Sequence, residues 1–164
     1  MNLIYKFDSK FCDKLISIVD KNTCYSYEIC RADNPNIETE ELRPTNSLQF
    51  IIDNNTNEGK QISDVVNGII NNISYIKSII QISDNTKKYI PHKYQNSYVI
   101  ISPLNDAFEG GRVSIDNNLI SLQKGECICI TASQIVNVEP IISGERYCLV
   151  VYVDTINKNN KSII

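Results

Sequence analysis

The sequence predicts a mainly β domain, a sandwich or closed jelly roll braced from outside by two N-terminal helices. After Ser74, short runs of β-favouring residues recur at regular spacing and are divided by turn signals. Before Ser74, two apolar stripes follow the helical period. A length of 164 residues, 42% hydrophobic and 21% charged, suits one globular domain with a single sizeable core.

In chain order, Phe7 to Asp20 carries Phe11, Leu15, Ile18 and Val19 at helical spacing, with Asp8 or Ser9 available as N-cap. Tyr25 to Arg31 and Ser47 to Ile52 carry β-favouring residues next to turn-prone segments, which predicts strands. From Gln61 onward Ile62, Val65, Val66, Ile69, Ile70 and Ile73 form an apolar stripe, which predicts the second helix. Strands follow over Ile76 to Ile82, Tyr98 to Ser102, Gly111 to Ile115, Leu119 to Leu122, Glu126 to Thr131 and Tyr147 to Val153. Asn105-Asp106, Gly110-Gly111, Asp116-Asn117-Asn118, Lys124-Gly125 and Ser143-Gly144 supply the turns. The expected domain is residues 1–154, and Thr155 to Ile164 reads as a loose polar tail.

A net charge of −3 without a long basic run speaks against a phosphate-binding surface, because nucleic-acid affinity rests on clustered Lys and Arg. Nucleic acid is therefore not an expected partner. Lys6, Asp8, Lys10, Asp13 and Lys14 interrupt the first twenty residues, which lack the apolar run of a signal peptide or membrane span. The expectation is a soluble, intracellular protein with no membrane partner. Six cysteines occur, with no Cys-x-x-Cys pair and no matched His spacing for zinc, and they read as reduced, buried thiols. Cys127 and Cys129, two apart on a strand, belong on one face.

Four segments stand in order along the second half. They are Tyr89-Ile90-Pro91-His92-Lys93-Tyr94, Leu104 through Arg112 with its Glu109-Gly110-Gly111, Lys124-Gly125-Glu126, and Val136-Asn137-Val138-Glu139-Pro140 running into Gly144-Glu145-Arg146-Tyr147. Singly each is weak, and a Gly-Gly after an acidic residue is most simply a turn that needs glycine's backbone freedom. Together, in register, they resemble the prolyl 4-hydroxylase-like branch of the iron(II)/2-oxoglutarate oxygenases over roughly residues 7–154. The resemblance implies a double-stranded β-helix, a jelly roll with iron inside, held by a His-x-Asp pair and a distal His that leave positions for 2-oxoglutarate and oxygen.

Carried over residue by residue, the resemblance puts His92, the only histidine, at the first ligand position. Tyr94 stands where the carboxylate is expected, and Val136 stands at the distal position, two before Val138 and four before Pro140. Arg146, ten residues beyond Val136, matches the arginine that pairs with the distal carboxylate of 2-oxoglutarate. A tyrosine that relatives place on the preceding strand aligns with Ser83. Val136 has no donor atom, and Tyr94 could ligate only as phenolate, against an ordinary pKa of about 10. Asp106 or Asp116 could substitute only if a loop folded inward. No catalytic residue and no metal triad is therefore expected intact, and no cofactor is expected.

Blander roles stand beside these. His92 reads as a hydrogen-bonded pocket histidine or as a ligand, and Arg146 as the partner of a carboxylate such as Glu139 or as the grip on an anionic ligand. Tyr94 and Val136 read as bulk filling a vacated metal cavity. The expected function is that of a catalytically inactive oxygenase-fold protein acting by binding or assembly. Its partner would be protein, through self-assembly or a related active subunit, or else 2-oxoglutarate or another dicarboxylate. The alternatives are an active prolyl 4-hydroxylase-like dioxygenase using iron(II) and 2-oxoglutarate at an unconventional metal site, and a metal-free dicarboxylate-binding protein anchored by Arg146.

Overall fold

The computed structural model describes residues 3–31, 40–85 and 96–156. The chain enters through a two-residue strand, β1 (Tyr5–Lys6), and helix α1 (Ser9–Ser17). The Asp8 carboxylate caps α1 by accepting the Phe11 N–H at 2.8 Å, as the sequence predicts. Cys12 and Leu15 face inward and are fully buried. The helix stops short of the predicted Asp20, because Ile18 already serves as its C-cap. A single 3-10 turn, Lys21–Thr23, leads into β2 (Tyr25–Arg31) and β3 (Glu40–Ile52), the latter longer than the predicted Ser47 to Ile52.

Helix α2 (Asn57–Ile69) begins ahead of Gln61, because Thr56 accepts the Gly59 N–H at 3.1 Å and Glu58 sits in the positive first turn. It ends before the apolar stripe does. Ile70 adopts extended angles, Asn72 takes the left-handed conformation at φ 59°, and Ile73 opens β4 (Ile73–Ser83). The strands that follow are β5 (Tyr98–Pro103), β6 (Phe108–Gly110), β7 (Val113–Ile115), β8 (Asn118–Ile120), β9 (Glu126–Thr131), β10 (Val136–Val138), β11 (Ile141–Gly144) and β12 (Arg146–Thr155). The strand expected over Gly111 to Ile115 begins only at Val113, and β6 precedes it as a separate strand, since Gly110 and Gly111 both take positive φ and break the ladder between β6 and β7. Asp116 and Asn117, at φ 51° and 66°, make the tight β7–β8 hairpin. Thr155, assigned to the tail by the sequence, belongs to β12, and the Ile156 N–H donates to Asn72 O at 2.7 Å.

The strands form a seven-stranded antiparallel sheet in the order β1-β9-β5-β12-β4-β3-β2, faced by a three-stranded sheet (β10-β7-β8) and a two-stranded ribbon (β11-β6). The architecture is the mainly β jelly roll with two helices that the sequence predicts. Strand alternation divides the core. Ile80, Ile82, Ile100, Leu149, Val151, Val153 and Cys127 pack against Cys12, Leu15, Ile62 and Val66 of the helices. Ile79, Val99, Ile101, Ile128, Ile130, Cys148 and Val150 point the other way, into the barrel, and meet Val113, Ile115, Val136 and Val138 of the small sheet. Cys127 and Cys129 share the helix-facing side, as their spacing predicts. No helix among the described residues is long and apolar enough to cross a membrane.

Candidate functional site

The barrel wall changes character along its length. Leu48 and Phe50 of β3, Ile80 and Ile82 of β4, and Leu149 and Val151 of β12 face the helices. Their neighbours Ser47, Gln49, Gln81, Ser83, Arg146 and Cys148 therefore face the barrel. Two cross-strand rows result, with Arg146 opposite Ser83, and Cys148 opposite Gln81, which in turn stands opposite Gln49. The next row, Val150 opposite Ile79, is apolar. One end of the barrel is thus lined by polar side chains, and Ser47, Gln49, Ser83 and Arg146 among them are buried.

Arg146 is the singular member of this group. It is 3% exposed, and its Nη2 donates at 3.5 Å to Cys148 Sγ, a weak acceptor. Among the described residues it has no carboxylate partner. Of the two roles open to Arg146, the pairing with Glu139 does not form, because Arg112 binds Glu139 through Nε at 2.7 Å and Nη2 at 3.0 Å. A buried guanidinium without a counter-ion is costly, so the fold holds a positive charge facing the barrel at the expense of stability.

The surroundings fix Arg146 closely. Asn105 accepts the Tyr147 N–H at 2.9 Å and donates to Glu145 O at 2.7 Å, clamping the backbone on both sides of residue 146. Glu145 is itself held by Lys21 at 3.0 and 3.1 Å and by the Tyr147 hydroxyl at 2.6 Å. Burial pushes the Glu145 carboxyl up, but the bonds from Tyr147 and Lys21 outweigh it and leave the carboxyl below its ordinary value. Gly111 supplies room, since a Cβ there would stand 3.2 Å from Arg146 Cδ and collide with Ile141 Cδ1. Its N–H donates to Pro140 O at 3.1 Å. Sequence reasoning read Asn105 as a turn residue and Ser47 and Gln49 as unremarkable strand residues. Only the alternation of Ser47 and Gln49 with Leu48 and Phe50 hints that one face is polar.

The other predicted positions divide in two. His92 and Tyr94 lie outside the described residues. Val136 is 1% exposed on β10, opposite Ile115, and belongs to the apolar barrel cluster with Val113, Ile128 and Ile130. Asp106 is exposed, and Asp116 is occupied by its own turn, accepting the Ile135 N–H at 2.9 Å. Among the described residues, no three His, Cys, Asp or Glu side chains come together as metal donors. Of the positions that the resemblance gives to the iron ligands, the one among the described residues, Val136, presents only methyl groups and does not fit iron(II), which takes imidazole or carboxylate donors.

The sequence matches no family model and no curated protein. Solved structures do match the fold. A prolyl-4-hydroxylase from Pseudomonas putida superposes with TM-score 0.65 at 11% identity, covering 91% of this chain and 88% of its own. The viral collagen prolyl hydroxylase of Paramecium Bursaria Chlorella virus-1, solved with 2-oxoglutarate, gives 0.63 at 15% identity over 95% and 94%. A Trichoplax adhaerens prolyl hydroxylase bound to a hypoxia inducible factor peptide gives 0.59 at 14% over 93% and 79%. The fold is that of the prolyl hydroxylase-like 2-oxoglutarate oxygenases.

Proposed function

We propose that this chain is a non-catalytic protein of the oxygenase fold, which acts by binding and retains recognition of a small carboxylate at Arg146. The observation that carries the reading is the pairing of a filled position with an unsatisfied one. Val136, at the position that the resemblance gives to the distal ligand, is apolar bulk inside a packed cluster, while Arg146 is kept buried and without a carboxylate among the described residues. Removing a metal ligand in favour of valine avoids an unpaired buried polar group. Keeping a buried guanidinium has no such structural benefit, and a bound carboxylate would supply its missing partner through a forked pair of hydrogen bonds.

The test is a metal-chelated thermal and calorimetric titration with glutarate and 2-oxoglutarate, alongside an anaerobic iron(II) titration. Carboxylate binding without metal supports the proposal, with stabilisation of about 2.7 kcal/mol expected at a hundredfold excess over Kd. Stoichiometric iron(II) binding together with 2-oxoglutarate turnover would sink it in favour of an active dioxygenase. Protein partners, by self-assembly or with a related subunit, remain compatible with a chain whose pocket is a receptor.

A further inference from the structure

Resting on the carboxylate reading of Arg146, we propose that the ligand also carries a hydrogen-bond donor, a hydroxyl or an amino group, and that Gln49 reads it. Gln49 is 3% exposed and sits on the barrel face of β3. Its Nε2 is committed to Ser47 Oγ at 2.8 Å, while its Oε1 is buried with no hydrogen-bond partner among the described residues. A buried amide oxygen left empty loses its hydration without compensation, so native proteins rarely keep one without use.

Its position gives that use. Gln49 stands opposite Gln81, and Gln81 opposite Cys148, the residue whose sulfur Arg146 touches. Two strand spacings, roughly 10 Å between backbones, separate Gln49 from Cys148. A guanidinium enters from one side and an amide from the other, with half-buried Gln81 on the strand between them, and the proposed acid would bridge this polar row. The guanidinium donates, so it takes the carboxylate; the free amide oxygen accepts, so it takes a donor. A keto oxygen placed there would face another lone pair. The site therefore favours hydroxy or amino acids over oxo acids.

Calorimetric dissociation constants of the full chain, with metals chelated, for glutarate, 2-hydroxyglutarate, glutamate and 2-oxoglutarate decide the matter. The expected ranking places 2-hydroxyglutarate or glutamate about tenfold tighter than glutarate, the worth of one hydrogen bond, with 2-oxoglutarate no tighter than glutarate. Which of the first two leads separates hydroxyl from ammonium recognition. Gln49→Leu should erase the preference and leave glutarate affinity within about twofold. Should that variant not fold, Gln49→Met gives the same readout, and the wild-type ranking stands alone. A flat ranking overturns the inference. So does a ranking led by 2-oxoglutarate and weakened by Gln49→Leu, which would mean that the amide presents its N–H. If no acid binds, the carboxylate reading falls as well. If all bind and Arg146→Met weakens all equally, that reading holds, and the ranking alone judges Gln49.

Discussion

Arg146 and Gly111 are complementary: the Cδ of the arginine passes 3.2 Å from the point where a Cβ on residue 111 would stand. Gly111→Ala is expected to lower stability by about 1–3 kcal/mol, because φ is +65° and the added methyl collides with Ile141. It should also weaken glutarate binding roughly tenfold, by displacing the guanidinium. Gly110→Ala is the control. Its Cβ would meet Pro140 O at 2.5 Å and Ile142 N at 2.9 Å, so it should destabilise comparably while leaving affinity unchanged. Equal affinity losses in both variants would detach Gly111 from the site.

Position 136 can be refilled with a donor. Val136→His alone buries an imidazole among Val113, Ile115 and Ile130 and should cost about 2–4 kcal/mol, measured by urea denaturation. Combined with Tyr94→Asp, the change restores the ligand types of the facial triad, and anaerobic titration should then show stoichiometric iron(II) binding that neither single variant shows. Failure of the double variant to bind would remove the correspondence between Val136 and the distal ligand.

Much of this fold could be read from the residues, and the errors have physical causes. The stripe from Ile62 to Ile73 overran α2 because Ile70, 9% exposed, keeps facing the same core after its backbone has become extended. The short strands β6, β10 and β11 escaped notice because three or four residues beside Gly, Asn or Pro resemble turns until distant partners complete the ladder. Arg146 is singled out in the sequence only by the resemblance, at ten residues beyond Val136. Gln49 was not, since a polar residue in a predicted strand defaults to solvent unless its sheet is known to enclose it.

Acid should loosen the clamp around Arg146. Glu145 is held below its ordinary carboxylate value, so its stabilising effect is complete above the unfolded pKa and is lost as pH falls through the lower folded value. The Lys21 ammonium, raised chiefly by its bond to Glu145, stays charged throughout this range. In Glu145→Gln the decline in thermal midpoint below about pH 4.5 should be shallower than in the wild type. Parallel profiles would show that the Lys21–Glu145–Tyr147 contacts contribute nothing at this half-exposed position.

The alkaline side is governed by buried thiols. Burial pushes Cys127 from a thiol's ordinary 9.0 up to about 12, and it also raises Cys12 and Cys129. A thiol that ionises at lower pH in the unfolded chain pulls the equilibrium toward unfolding, so the stability present below about pH 9 declines as pH rises toward 12. Each unit of separation corresponds to about 1.4 kcal/mol. Urea unfolding between pH 8 and pH 11 (roughly the span of the shift) should show that decline, and Cys127→Ala should flatten it while costing stability at neutral pH through the cavity it leaves. Thiol labelling at neutral pH provides an independent check: half-buried Cys24 should react well before Cys127, which is 1% exposed. Rapid labelling of Cys127 would mean that the contact between β9 and α1 opens locally far more often than this packed core allows.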